Sequence, residues 1–149
     1  MTPPSAWAAI NQYIPKDKEI WEPFYGDGTS GKILADLGCN VIHEPLDFFQ
    51  EDHGEVIVSN PPFTLKKEVL TRLKELDKPF ILIMPSPTLV TSYVRELYGD
   101  SIQILIPRRR IQFRKINAKS EEVESGKCNF DCFYFCYKMN LPRDIIFLE

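Results

Sequence analysis

Short apolar runs alternate with mixed, amphipathic stretches along this chain. Residues 19–21 (Glu-Ile-Trp), 40–43, 55–58 and 102–106 each read as a strand of about one core width. Residues 80–84 (Phe-Ile-Leu-Ile-Met) are apolar throughout, the pattern of a parallel strand covered on both faces. Between them, residues 29–37, 65–76 and 89–98 space their apolar positions as helices do, and Gly38 stops the first of these. An initial helix is expected over residues 5–14, opened by Pro3-Pro4 and stopped by Pro15. Residues 130–139 read as a late aromatic strand, and residues 145–148 as an edge piece. The alternation predicts an α/β fold with a doubly wound, mainly parallel sheet. Ligands of such sheets bind at the carboxyl ends of the strands.

With 149 residues and neither a repeat nor a linker, the chain is expected to form one domain. No apolar run approaches the ~20 residues of a membrane span. The start, Met1-Thr2-Pro3-Pro4-Ser5, has no basic region followed by an apolar core. An intracellular protein, cytoplasmic or nuclear, is therefore expected. Cys128, Cys132 and Cys136 fall at even spacing. On one strand the outer two would stand ~26 Å apart, too far for one tetrahedral site. Buried thiols are expected, and no metal. Net charge is −3, yet Arg108, Arg109, Arg110, Arg114, Lys115 and Lys119 cluster with no acid between Ile106 and Ser120. That run reads either as a solvated loop or as a contact for phosphates.

The chemistry concentrates after two of the expected strands. Asn60-Pro61-Pro62-Phe63 follows Val56-Ile57-Val58-Ser59. The first proline biases Asn60 toward extended backbone, and the two prolines together remove two amide donors. The result is a stiff rim bearing a side-chain amide, a carbonyl without a competing N–H and a planar ring, suited to a planar, amino-bearing substrate. After the first strand comes Glu22-Pro23-Phe24-Tyr25-Gly26-Asp27-Gly28, a glycine loop entering a helix. Three readings compete for this loop. Residues 26–31 satisfy the dinucleotide pattern G-x-G-x-x-G, with Glu44 downstream. Residues 26–32 fit a nucleotide-phosphate loop, but Ile33 stands where a hydroxyl must reach magnesium.

The third reading pairs the loop with the rim. Asn-Pro-Pro-Phe resembles motif IV, and Glu-Pro-Phe-x-Gly-x-Gly resembles motif I, of the S-adenosylmethionine-dependent methyltransferases that modify exocyclic amino nitrogens. The resemblance implies a Rossmann-like class I methyltransferase fold with an antiparallel late strand, and S-adenosylmethionine as cofactor. It implies that Glu22, with Pro23, Phe24, Gly26 and Gly28, holds the methionine end. Glu44 then takes the ribose hydroxyls, while Asp47 and Phe48 resemble motif III at the adenine. The gap between Glu44 and Asp47 is shorter than in a full-sized enzyme. Thr2-Pro3, with Trp7 and Tyr13, is similar to the segment that closes over the methionine end.

The resemblance implies that Asn60 and the Pro61 carbonyl accept the protons of an NH2 group and aim its lone pair at the methyl group, with Pro62 stiffening the rim. Phe63 would stack on the base, with Arg108, Arg109, Arg110 and Phe113 near the target. Extracting a base costs a few kcal/mol, and stacking returns ~1–3 kcal/mol. The expected acceptor is adenine N6 in nucleic acid, DNA favoured over RNA. Little chain follows Phe113, so no separate target-recognition domain is expected. Recognition then falls to an accessible adenine, a homodimer or a partner subunit. Two alternatives share the motif: a glutamine-N5 protein methyltransferase, and an inactive scaffold subunit of the same fold.

Overall fold

The computed structural model describes residues 2–116, 122–124 and 131–149, with the backbone alone for 114–116 and 122–124. Its strands are β1 (Glu19–Trp21), β2 (Asn40–Ile42), β3 (Val56–Ser59), β4 (Phe80–Pro85), β5 (Ile102–Ile106), β6 (Arg114–Ile116), β7 (Glu122–Glu124), β8 (Cys132–Tyr137) and β9 (Ile145–Phe147). Seven of them form one sheet in the order β2-β1-β3-β4-β8-β5-β9. All neighbours in it are parallel except β8, which runs antiparallel between β4 and β5. This is a mostly parallel, Rossmann-like α/β sheet with an antiparallel late strand. β6 and β7 pair separately as an antiparallel ribbon.

The apolar runs become strands because both faces of the sheet are covered. Val56, Val58, Ile81, Ile83, Tyr134 and Cys136 share one buried face. It packs against Ala6 and Trp7 of helix α1 (Pro4–Ala8) and Leu34 of α2 (Thr29–Asp36). Ile57, Phe80, Leu82, Met84, Phe135 and Tyr137 share the other. That face meets Val69, Leu70 and Leu73 of α3 (Lys66–Leu76) and Val94 of α4 (Ser92–Leu97). Two buried phenols tie these elements together, one from sheet to helix and one from the end of α4 to α3. Tyr134 donates to the Ala6 carbonyl and Tyr98 to the Leu70 carbonyl, each at 2.6 Å. Burial on both faces is what makes period-two alternation unnecessary in β3 and β4.

Three expected elements differ in detail. The single helix over residues 5–14 is instead α1 followed by a separate 3-10 turn, Asn11–Tyr13. The Lys16 ammonium donates to the Asn11 and Ile14 carbonyls, at 2.8 and 2.9 Å, which supports the tightened end. The helix expected at residues 89–98 divides at Thr91, whose hydroxyl accepts the Val94 N–H and caps α4. The late strand is β8; residues 125–130, including Cys128 and the expected start of that strand, lie outside the described residues, as does Lys119. Among the described residues no helix is long and apolar enough to cross a membrane.

Candidate active site

β1 and β3 are adjacent and parallel, paired Ile20 with Val56 and Trp21 with Ile57. Their carboxyl ends therefore emerge side by side, one leading into the glycine loop and the other into the Asn-Pro-Pro rim. Glu22 joins them. It is 1% exposed. Its Oε1 accepts from the Ser59 hydroxyl at 2.5 Å and the Phe24 N–H at 3.0 Å. Its Oε2 accepts the Asn60 N–H at 3.3 Å. Burial raises the Glu22 pKa from 4.5 to about 8, with the donors from Ser59, Phe24 and Asn60 opposing the shift.

Asn60 is oriented from the far end of the chain. Its Nδ2 donates to the Thr2 hydroxyl at 2.7 Å, and Thr2 is itself buried. Its Oδ1 is buried and has no hydrogen-bond partner. An unpaired buried acceptor costs roughly 1–3 kcal/mol. Residues 60–64 form one wall of a cleft of about 510 Å³, Phe24, Tyr25 and Gly26 form the other, and Phe113 joins them. The Phe63 and Phe113 rings meet edge to face, 6.1 Å apart at 87°.

The glycine loop turns through left-handed backbone at Gly26 (φ 56°) and Gly28 (φ 85°), a conformation that costs a residue with a Cβ. Asp27 accepts the Thr29 N–H at 2.9 Å and fastens the start of α2. His43, just past β2, braces the loop from behind. Its Nδ1 lies 2.8 Å from the Glu22 carbonyl and its Nε2 3.0 Å from the Tyr25 carbonyl. The Tyr25 ring stacks on it at 4.9 Å. The close approach of α2 to His43 requires glycine at 31, where a Cβ would stand 2.4 Å from the imidazole side chain.

The cleft thus gathers Phe24, Gly26, Asn60, Pro61, Pro62, Phe63 and Phe113, with Glu22 and Thr2 hydrogen-bonded directly behind Asn60. Pro3, Pro23, Gly28, Glu44 and Asp47 do not line it. Glu44 is exposed just past β2. Asp47 is exposed, and its carboxylate accepts the Phe49 N–H at 2.9 Å, organising a turn. Phe48 is 2% exposed, packed on Trp21 and Phe24, so it supports the loop from the core. Arg108, Arg109 and Arg110 are exposed beyond the carboxyl end of β5 and outside the cleft lining. Arg110 pairs with Asp131 at 3.4 Å. The basic run then enters β6, whose backbone pairs Arg114 with Glu124 and Ile116 with Glu122.

Ser59, Tyr25 and His43 are the contributors that sequence reasoning missed. Ser59 had one available signal, a polar residue closing an otherwise apolar strand. Among the described residues no group of His, Cys, Asp and Glu is arranged to hold a metal ion. Cys132 and Cys136 are buried on one face of β8, and burial pushes the Cys136 thiol up to about 12. No protein-family model matches the chain, and no curated protein matches it.

Proposed function

We propose that the chain is an S-adenosylmethionine-dependent methyltransferase acting on the exocyclic N6 amino group of adenine in nucleic acid, with DNA favoured over RNA. The observation that carries this reading is the Asn60 amide. Thr2 engages its nitrogen, so its buried oxygen is left as an acceptor without a donor beside a cleft shared with the glycine loop. An amino group is the complement of such an acceptor. The sheet order also supports the class I methyltransferase fold, because the two motif-bearing strands are neighbours and the antiparallel strand is inserted late.

The residues present fit the cofactor. The cleft wall at Phe24, Tyr25 and Gly26 is open, left-handed glycine backbone lets a ligand approach the main chain, and a carboxyl lies behind it. Glu22, Phe24, Gly26 and Gly28 would hold the methionine end, with Thr2 and Pro3 over it, Glu44 toward the ribose, and Asp47 near the adenine. When bound, S-adenosylmethionine supplies an electrophilic methyl group on a sulfonium. Asn60 accepts one proton of the substrate NH2 in a hydrogen bond and, with the Pro61 carbonyl, orients the nitrogen lone pair. This is positioning chemistry, and it needs no strong base, because the methylated nitrogen would be acidic and would release its extra proton to solvent. Phe63, with Phe113 against its edge, offers the base a stacking surface. Arg108 and Arg109 supply positive charge for phosphates at the same end of the sheet.

The test is incubation with methyl-labelled S-adenosylmethionine and a panel of adenine-containing DNA, adenine-containing RNA and glutamine peptide. Label on adenine N6, greater on DNA than RNA, is expected. Label on the peptide alone would replace the acceptor, and cofactor binding without transfer to any acceptor would reduce the protein to a scaffold.

A further inference from the structure

β9 is the last strand of the sheet order and lacks a neighbour on its outer side among the described residues. The residues along this edge are apolar rather than protected by charge. Ile145 is 54% and Phe147 74% exposed, while Ile146 between them is buried. Their partners on β5, Ile104 and Ile106, lie in the core or against it. Edge strands of natural sheets are usually blunted by lysine, proline or bulges, because their free amides recruit other strands. β9 carries none of these within its three residues.

The backbone directions fix which groups are available. The Ile104 N–H donates to the Asp144 carbonyl at 2.7 Å, and the Leu148 N–H donates to the Ile106 carbonyl at 2.9 Å. In a parallel ladder this turns residues 144, 146 and 148 toward β5. The N–H and C=O groups of Ile145 and Phe147 therefore point away from the sheet. Those are the same two residues whose side chains are exposed.

We propose that β9 pairs antiparallel with β9 of a second copy of this chain, about a two-fold axis through Ile146. In that register Ile145 faces Phe147 of the other copy as a hydrogen-bonded pair. All four outward N–H groups then find carbonyls. The apolar side chains meet on one face of the joined sheets, as cross-strand pairs do. The same two-fold brings Arg143, in the bend before β9, toward Glu149 of the second copy, just past its β9, twice. Both residues are exposed, and neither has an ion-pair partner among the described residues. Asp144, by contrast, is engaged by the Gln103 amide at 3.2 Å. Amide pattern, apolar pairing and charge thus all fit one self-complementary register, which is the mark of a two-fold interface. A three-residue strand contact is small beside the ~1,200–2,000 Å² of a stable complex, so the dimer is weak and reversible.

Sedimentation equilibrium of the full chain over about 1–500 µM, a span suited to weak interfaces, reads this directly. The mass is expected to climb from 17.3 kDa toward twice that value as concentration rises. Phe147→Lys should hold the protein monomeric throughout, with an unchanged circular-dichroism spectrum and melting curve. Arg143→Glu and Glu149→Arg should each weaken association, by about tenfold for two reversed pairs. Combining them should restore it. A constant monomer mass for the unmodified chain would overturn the proposal. So would an unaffected Phe147→Lys dimer, a charge-reversed double variant as weak as the singles, or growth past the dimer without a plateau.

Discussion

Glu22→Gln isolates the energetic consequence of burying a carboxyl at the end of β1. Burial lifts the Glu22 pKa from 4.5 to about 8, against donors from Ser59, Phe24 and Asn60. Between those values the folded chain holds a proton that the unfolded chain releases. Stability must then fall as pH rises, because the unfolded state binds fewer protons. The stabilising contribution is complete below the unfolded value near 4.5 and is lost as pH rises through about 8. Each pH unit within that window removes about 1.4 kcal/mol, and the whole shift amounts to roughly 5 kcal/mol. Glutamine has the same shape and does not titrate. Its oxygen can keep the Ser59 and Phe24 donors, and its NH2 gives up only the 3.3 Å contact with the Asn60 N–H. Urea unfolding of both proteins at intervals between about pH 5 and pH 9 gives the answer as a difference. The glutamine variant should gain on the parent steadily from pH 5 to 8 and then level off. Parallel curves across that range would refute the reasoning, since they would mean that Glu22 titrates alike in the folded and unfolded chains.

Other expectations follow from single contacts. Asn60→Ala should abolish methyl transfer to adenine while equilibrium dialysis shows nearly unchanged S-adenosylmethionine affinity; equal loss of both would contradict a substrate-positioning role. Thr2→Val removes the acceptor that orients the Asn60 amide, and a misplacement of this kind costs about 10²-fold in turnover. Thr2→Ser should recover most of that loss in the same single-turnover assay. Gly31→Ala sets a methyl group 2.4 Å from His43 side-chain atoms. Such overpacking costs about 1–3 kcal/mol, read as a fall of several degrees in melting temperature.

The strands that build the site were legible because their burial leaves a compositional mark. Val56–Ser59 and Phe80–Pro85 are buried at every position, so an unbroken apolar run was enough to find them. The even spacing of Cys132 and Cys136 correctly implied a shared strand face. The β8 insertion between β4 and β5 was legible only through resemblance, since strand order depends on packing between distant segments. Nor does residue pattern reveal that the helix expected over residues 5–14 breaks after Ala8, or that Lys16 bonds the Asn11 and Ile14 carbonyls of the turn that follows. Asn60, Phe63 and the glycines announced themselves by residue type and spacing. His43 and Tyr25 did not, because their roles arise from contacts between the end of β2 and the glycine loop. Thr2 was legible only through resemblance, and its bond to Asn60, 58 positions away, was not. Phe48 drew notice through its resemblance to motif III; the structure shows it buried against Trp21 and Phe24.

The two loops behave as one unit because a single carboxyl is bonded to both. Glu22 accepts from Phe24 on its own loop and from Ser59 and Asn60 on the other. With its pKa near 8, it is mostly neutral at neutral pH. A cationic ligand in the adjoining cleft favours the ionised form, and hydrogen bonds to a carboxylate are roughly twice as strong as those to a neutral group. Ionisation would therefore tighten the Ser59 and Asn60 contacts at the moment the ligand arrives. Asn60, already fixed at its side chain by Thr2, would then be fixed at its backbone as well. Under the proposed function, the raised pKa of Glu22 would let a cationic cofactor at the glycine loop stiffen the rim that carries Asn60. Neither a surface-exposed carboxylate, already ionised, nor a glutamine, unable to ionise, could couple the two events.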